Sequence, residues 1–362
     1  MATRLSYTGI CCVLLFVGFL ANDPVVAAAG TATVNDQSQT KRHSVIPKIF
    51  GNSNFCRADQ NDSTTSDVAA AAGALSSDIP SSLLETARAI KNRVEQDPKL
   101  RSTSKEAHQQ LTDLEYLQLA VQLHSAEERD PKLARFGKDD NRRFQASLNT
   151  IQSLQQFRKT HGIDETLSDA KKRVTALFQR YPGLHESMGV DNTGRAVLFT
   201  DYSSFTSDRL RSSKEWDEVM GGFYYVLSST QANPGTVQQG TVFCILAGKL
   251  GWSNINIELQ NRFATLYSKT LPMTVREISM LTGGSSVIKT LYGIVKVFVA
   301  KRVRAAVVFE PDLNGYLKRN SKILPNSVIP EEVGGTFPKG TILPTIFSKL
   351  DERFNNMKLF KL

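Results

Sequence analysis

Only four of the 362 residues are cysteine, and Cys11 and Cys12 fall in the apolar run near the start of the chain. Cys56, in a polar stretch, and Cys244, inside the apolar run at 242–246, are too few for a disulfide framework, so both are expected as free thiols. Histidine is equally sparse: His43, His108, His124, His161 and His185 are the five, and none lies after position 185. A Ser-His-Asp or Cys-His device built only from residues after position 185 is thereby excluded, unless the helical part before it supplies the base. The chain has no G-x-S-x-G, H-E-x-x-H, C-x-x-C or G-x-G-x-x-G pattern. Residues 283–290 approach a phosphate-binding loop, but Ile288 stands where a glycine must let the backbone N–H groups curl toward phosphate. Carboxylates such as Glu331 and Glu332 are not set apart from ordinary solvated charges. No enzyme is legible in these residues, and neither a cofactor nor a metal is implied.

Lys and Arg number 44 against 35 Asp and Glu, a net charge of +9 that favours anionic partners. Nucleic acid is not expected among them, because the basic residues are not interleaved with aromatics as stacking surfaces require. Arg4, an apolar run at 7–21 and the small residues at 25–30 resemble a secretory signal peptide covering residues 1–29. That run is shorter than the roughly 18 residues of a membrane span, so an uncleaved anchor is the lesser alternative. The expected location is the secretory pathway, extracellular or in an endomembrane lumen; a two-part plastid address is the other route. Residues 30–82, rich in Ser, Thr, Asn, Asp and Ala, read as a disordered leader with one sequon, Asn61-Asp62-Ser63, and a dibasic pair, Lys41-Arg42.

Residues 83–185 carry helical periodicity and read as a helical region. Asp191-Asn192-Thr193-Gly194 reads as a tight turn before a strand at 195–199. A helix at 215–230, a Pro/Gly loop at Asn233-Pro234-Gly235 and strands at 241–247, 277–281 and 305–309 follow. The expected fold class is α/β, with helices first and then a mainly parallel sheet over 186–340, closed by a basic tail at 341–362.

Residues 285–309 contain no Asp or Glu but five basic residues, Lys289, Lys296, Lys301, Arg302 and Arg304. Ile288, Leu291, Tyr292, Val295, Phe298 and Val299 recur at steps of three and four, which on a helix makes one wide apolar stripe. With strands on both sides, this run is expected as the crossover helix of a βαβ unit. Its apolar face meets either core or cargo.

Three segments, in order, resemble the CRAL-TRIO lipid-binding and lipid-transfer family. Leu133-Ala134-Arg135-Phe136, Phe144, Ala146 and Phe157-Arg158-Lys159-Thr160-His161-Gly162-Ile163 are similar to its helical N-terminal signature, with Phe157 where Trp is usual. Asp191-Asn192-Thr193-Gly194-Arg195-Ala196-Val197 resembles its D-x-x-G-R-P-V turn, with Ala196 replacing Pro. Ile323-Leu324-Pro325 with Ile329-Pro330-Glu331-Glu332-Val333-Gly334-Gly335 resembles its closing motif. The resemblance implies non-catalytic binding and intermembrane transfer of a hydrophobic, lipid-like molecule at an anionic membrane surface, with 285–299 as a gate helix over a lipid cavity. It places Ile288, Leu291, Tyr292, Val295 and Phe298 toward the ligand. Phe223 and Tyr225, beside Tyr224, line the opposite wall or belong to plain core. Lys296, Lys301, Arg302 and Arg304 are the membrane contacts, or merely solvated charges. Met273 and Thr274 stand where phosphoinositide-binding members place an acidic and a basic residue, so an inositol headgroup is not expected. The alternatives are an interaction scaffold with a filled cavity and, further off, a lipid hydrolase.

Overall fold

A computed structural model describes residues 79–98, 100, 110–129, 133, 141–204, 212–248, 262, 266, 270–283 and 307–357. The first three described helices form their own small core. Helix α1 (Ser81–Gln96) lays Ala87, Ile90 and Val94 against Tyr116, Leu119, Ala120 and Leu123 of α2 (Asp113–Arg129) and Phe144 and Ile151 of α3 (Asn141–His161). The opposite stripe of α2, Leu114, Leu117 and Val121, meets Val237, so this helix is apolar on two sides because it is covered on two sides.

Helix α4 (Leu167–Arg180) starts at Thr166, whose hydroxyl accepts from the Asp169 N–H at 3.2 Å, satisfying one of the free N–H groups of the first turn. Five strands follow: β1 (His185–Val190), β2 (Ala196–Thr200), β3 (Thr241–Leu246), β4 (Val275–Leu281) and β5 (Val307–Glu310). They lie side by side in chain order, with β1 antiparallel to β2 and every other pair parallel. The α/β expectation therefore holds at the level of a mostly parallel sheet preceded by helices.

Both faces of the sheet are covered, which explains the near-continuous apolar runs of its strands. Leu198, Phe243, Ile245, Ile278 and Met280 face α4, α5 (Ser213–Ser229) and α8 (Ile342–Asn355). The alternate residues Val197, Phe199, Val242, Cys244 and Leu281 pack with Tyr316 of α7 (Leu313–Asn320) and with Leu324, Val328 and Ile329. Cys244 is a buried free thiol, as expected, 2.9 Å from the Tyr316 hydroxyl; burial, only partly offset by that bond, pushes it up to about 12.

Three expectations change. Strand β1 was not anticipated, since its sequence HESMGV has no apolar alternation; a bulge between His185 and Ser187 accompanies its pairing with β2. Asn233-Pro234-Gly235 does not form a loop but opens α6 (Pro234–Gln239): the Asn233 side chain caps the Thr236 N–H at 2.9 Å and Pro234 occupies the first turn, where its missing N–H costs nothing. The basic end, expected as a tail able to lie against the domain, holds a helix. Helix α8 buries Ile342, Ile346, Leu350 and Arg353 against the body of the protein.

Candidate functional site

Ile288, Leu291, Tyr292, Val295, Phe298, Lys296, Lys301, Arg302 and Arg304 lie outside the described residues, as do the expected signal peptide and most of the leader. The described part of the expected site is the aromatic run on α5. This helix begins with a capping box, Ser212 and Glu215 each satisfying the other's backbone N–H. Phe223, Tyr224 and Tyr225 are all fully buried, yet successive residues on a helix point about 100° apart, and these three go to three places. Phe223 faces the sheet side, edge-on to the His185 ring at 5.8 Å between centroids. Tyr224 turns to Arg158, and Tyr225 donates to Asp169 Oδ2 at 3.0 Å. Their backbone comes close to α4 because position 222 is glycine: a Cβ there would sit 2.7 Å from Leu177 Cβ and 2.9 Å from the Arg173 carbonyl oxygen. Phe223 thus packs in the core shared by the sheet, α4, α5 and α8, while the hydroxyl of Tyr225 is committed to α4.

Tyr224 belongs to a buried charge cluster that joins both halves of the protein. Arg158 Nη2 lies 2.5 Å from Glu115 Oε1, 2.9 Å from Glu165 Oε1 and 2.7 Å from the Tyr224 hydroxyl, which itself donates to Glu165. Arg353 Nη2 donates to the same Glu115 oxygen at 3.1 Å. The other oxygen of Glu115 accepts from the Thr112 N–H at 3.0 Å, closing the capping box of α2. Two arginines and two glutamates balance. Burial works against the charge on Arg158, but Glu115 and Glu165 outweigh it and hold its pKa well above the ordinary value. Sequence reasoning singled out Arg158 only within the family resemblance and missed its partners. Thr112-Asp113-Leu114-Glu115 has the spacing of a helix start, and Arg353 continues the Ile346, Leu350 stripe, so both positions were readable as placed, though not as paired.

Two of the three segments carrying the resemblance meet in space. Asp191 Oδ1 accepts from the N–H groups of Thr193 and Arg195, and Oδ2 pairs with Arg195 Nε at 2.7 Å, which builds the β1–β2 turn around Gly194 at φ +83°. The Asn192 N–H then donates to the Ile323 carbonyl at 2.8 Å, and Ser187 Oγ to the Val328 carbonyl at 2.5 Å, docking the closing segment on this hairpin. The closing segment folds back on itself, with Phe337 N–H on the Ile329 carbonyl and Gly335 N–H on that of Pro330.

Two histidines stand out. His161, at the end of α3, places Nδ1 2.7 Å from Asp217 Oδ1 on α5. Burial lowers its pKa, with Arg262 and Arg173 acting in the same direction and Asp217 opposing them. A base and its orienter have the same arrangement, but among the described residues no hydroxyl or thiol is bonded to the His161 ring. His185 belongs to β1 and so to the sheet, not to the helical region that was expected to end there. Its Nδ1 is 3.0 Å from Thr200 Oγ1, and its ring stands between Phe178 and Phe223. Burial pushes it down to about 3.

The unfolded chain takes up a proton on this histidine near pH 6.5 and the folded protein only near 3, so stability is complete above pH 6.5 and falls as the pH drops toward 3, by about 1.4 kcal/mol per unit. Between pH 7.5 and 5, urea denaturation should show the wild type losing about 2 kcal/mol more than a His185→Phe variant. Parallel curves contradict a buried neutral imidazole.

Among the described residues no helix is long and apolar enough to cross a membrane, and no group of three metal-type ligands occurs. No family model matches the chain, and no curated protein matches it.

Proposed function

We propose that this protein binds one hydrophobic, lipid-like molecule without chemical change and carries it between membranes, in a CRAL-TRIO-like domain whose cavity is closed by the amphipathic run at 285–299. What supports this reading most is the docking of the closing segment on the Asp191–Arg195 turn: the two motifs are far apart in sequence, yet Asn192 bonds the Ile323 and Lys322 carbonyls. A set of chance likenesses has no reason to assemble.

The energetics explain why a gate is needed. Each buried methylene gains about 0.8 kcal/mol, so a chain of about sixteen carbons gains on the order of 12 kcal/mol by leaving water. A carrier that opened in water would lose that gain, whereas basic residues such as Lys296, Lys301, Arg302 and Arg304 each add about 1 kcal/mol at an anionic surface. Opening is therefore favoured at the membrane.

The full chain, mixed with donor vesicles of phosphatidylcholine and phosphatidylserine holding labelled lipid, should load lipid and deliver it to acceptor vesicles. Ile288→Asp should abolish loading with helical content intact, since a carboxylate on the cargo side is costly to bury. Loading that persists in the variant contradicts the gate; no loading by the wild type contradicts the carrier. The scaffold reading, in which the basic face recruits a protein, draws on the packed state of Tyr224 and Tyr225, whose hydroxyls already have partners.

A further inference from the structure

We propose that His185 is a polar anchor for the ligand, and that the ligand carries a hydroxyl group at the end that reaches the β1 edge of the sheet. This rests on the carrier reading above. His185 Nε2 is buried and has no hydrogen-bond partner among the described residues, while Nδ1 is held by Thr200. A buried polar atom without a partner costs about 1–3 kcal/mol, and native interiors satisfy the great majority of them. The ring is flanked by Phe178 and Phe223, with Leu184 and Met188 as chain neighbours in the same apolar layer. A group that reaches Nε2 therefore arrives from apolar surroundings.

The bond to Thr200 allows two tautomers. With the proton on Nδ1, Nε2 is an acceptor; with Thr200 donating to Nδ1, Nε2–H is a donor. A hydroxyl satisfies either one, whereas a carbonyl satisfies only the second. Burial keeps the imidazole neutral far below neutral pH, which removes the cation that a fatty carboxylate would seek. The class of ligand is thus a lipid alcohol: a long-chain or polycyclic hydrocarbon with one hydroxyl. His185 is singled out because its ring stands edge-on to Phe223 and its Nδ1 is already held by Thr200.

The test uses the full chain and phosphatidylcholine vesicles carrying trace radiolabelled 1-hexadecanol or hexadecane, with protein-bound label counted after the vesicles are sedimented. The alcohol-to-alkane ratio of the wild type, divided by that of His185→Phe, cancels the partition of each probe into the vesicles. It should be about tenfold or more, because a site built to bond a hydroxyl rejects the analogue lacking it. A double ratio near one overturns the anchor and leaves a buried water as the partner of Nε2. A wild type that takes up neither probe overturns the carrier reading and the anchor with it. Should the variant fail to fold, 15N spectra of histidine-labelled wild type decide: the His185 Nε2 signal should move with hexadecanol and not with hexadecane. Equal or absent shifts overturn the anchor.

Discussion

Replacing Glu115 by alanine should cost about 3–5 kcal/mol, the expected penalty for leaving buried charge without its partner. One oxygen of this carboxylate serves both Arg158 and Arg353, and the other closes the capping box of α2. After truncation Arg158 keeps Glu165, the Tyr224 hydroxyl and the Gln110 carbonyl, Arg353 keeps the Gln231 carbonyl but no carboxylate among the described residues, and the Thr112 N–H loses its acceptor. The network ties α2, α3, α5 and α8 to the segment between α3 and α4, so the loss is expected to be cooperative and to release the C-terminal helix. Asp351→Ala is the control. Its pair with Lys171 is 2.8 Å long but roughly 40% exposed on both sides, and exposed pairs contribute about 0–1 kcal/mol. Urea denaturation of both variants tests the contrast. A Glu115→Ala protein within about 1 kcal/mol of wild type would show that the cluster does not bear on stability.

Gly335→Ala should be nearly as damaging, and Gly334→Ala much less so. A Cβ on Gly335 would sit 2.0 Å from the Ile329 carbonyl oxygen and 2.4 Å from its carbon, backbone atoms fixed by the Phe337 N–H bond to that same carbonyl. The closing segment has to open, at a cost of about 3 kcal/mol or more, or detach from the β1–β2 hairpin. Gly334 has φ +92° with nothing within 4 Å of a Cβ, so alanine there meets only the left-handed backbone penalty of about 1–2 kcal/mol. Thermal melts of the two variants should therefore separate by several degrees. Equal losses would mean that the fold-back at Ile329 is not maintained.

The parallel strands were legible because strands buried on both faces read as plain apolar runs, as Val242-Phe243-Cys244-Ile245-Leu246 does. The hairpin turn was legible for a local reason as well, since Asp191 binds backbone N–H groups two and four positions ahead. Strand β1 was not, because what holds His185 and Ser187 in extended form is pairing with β2 and the Val328 carbonyl, neither of which local pattern encodes. The charge cluster was hidden for the same reason at longer range: Arg158 and Glu115 are 43 positions apart, and Arg353 and Glu115 are 238 apart. Of the expected site, Phe223 is placed toward the sheet and Tyr225 toward α4, a division that spacing on one helix predicts in angle but not in partner. His185 was legible only as a lone histidine, and its bond to Thr200 and its unsatisfied nitrogen come from the strand pairing.

Native mass spectrometry of the purified full chain, followed by solvent extraction and identification of what is released, tests lipid carriage most directly. The carrier reading predicts one small hydrophobic molecule per chain, lost on extraction and regained on incubation with vesicles. A mass equal to that of the bare polypeptide, unchanged after incubation with mixed vesicles, would contradict it.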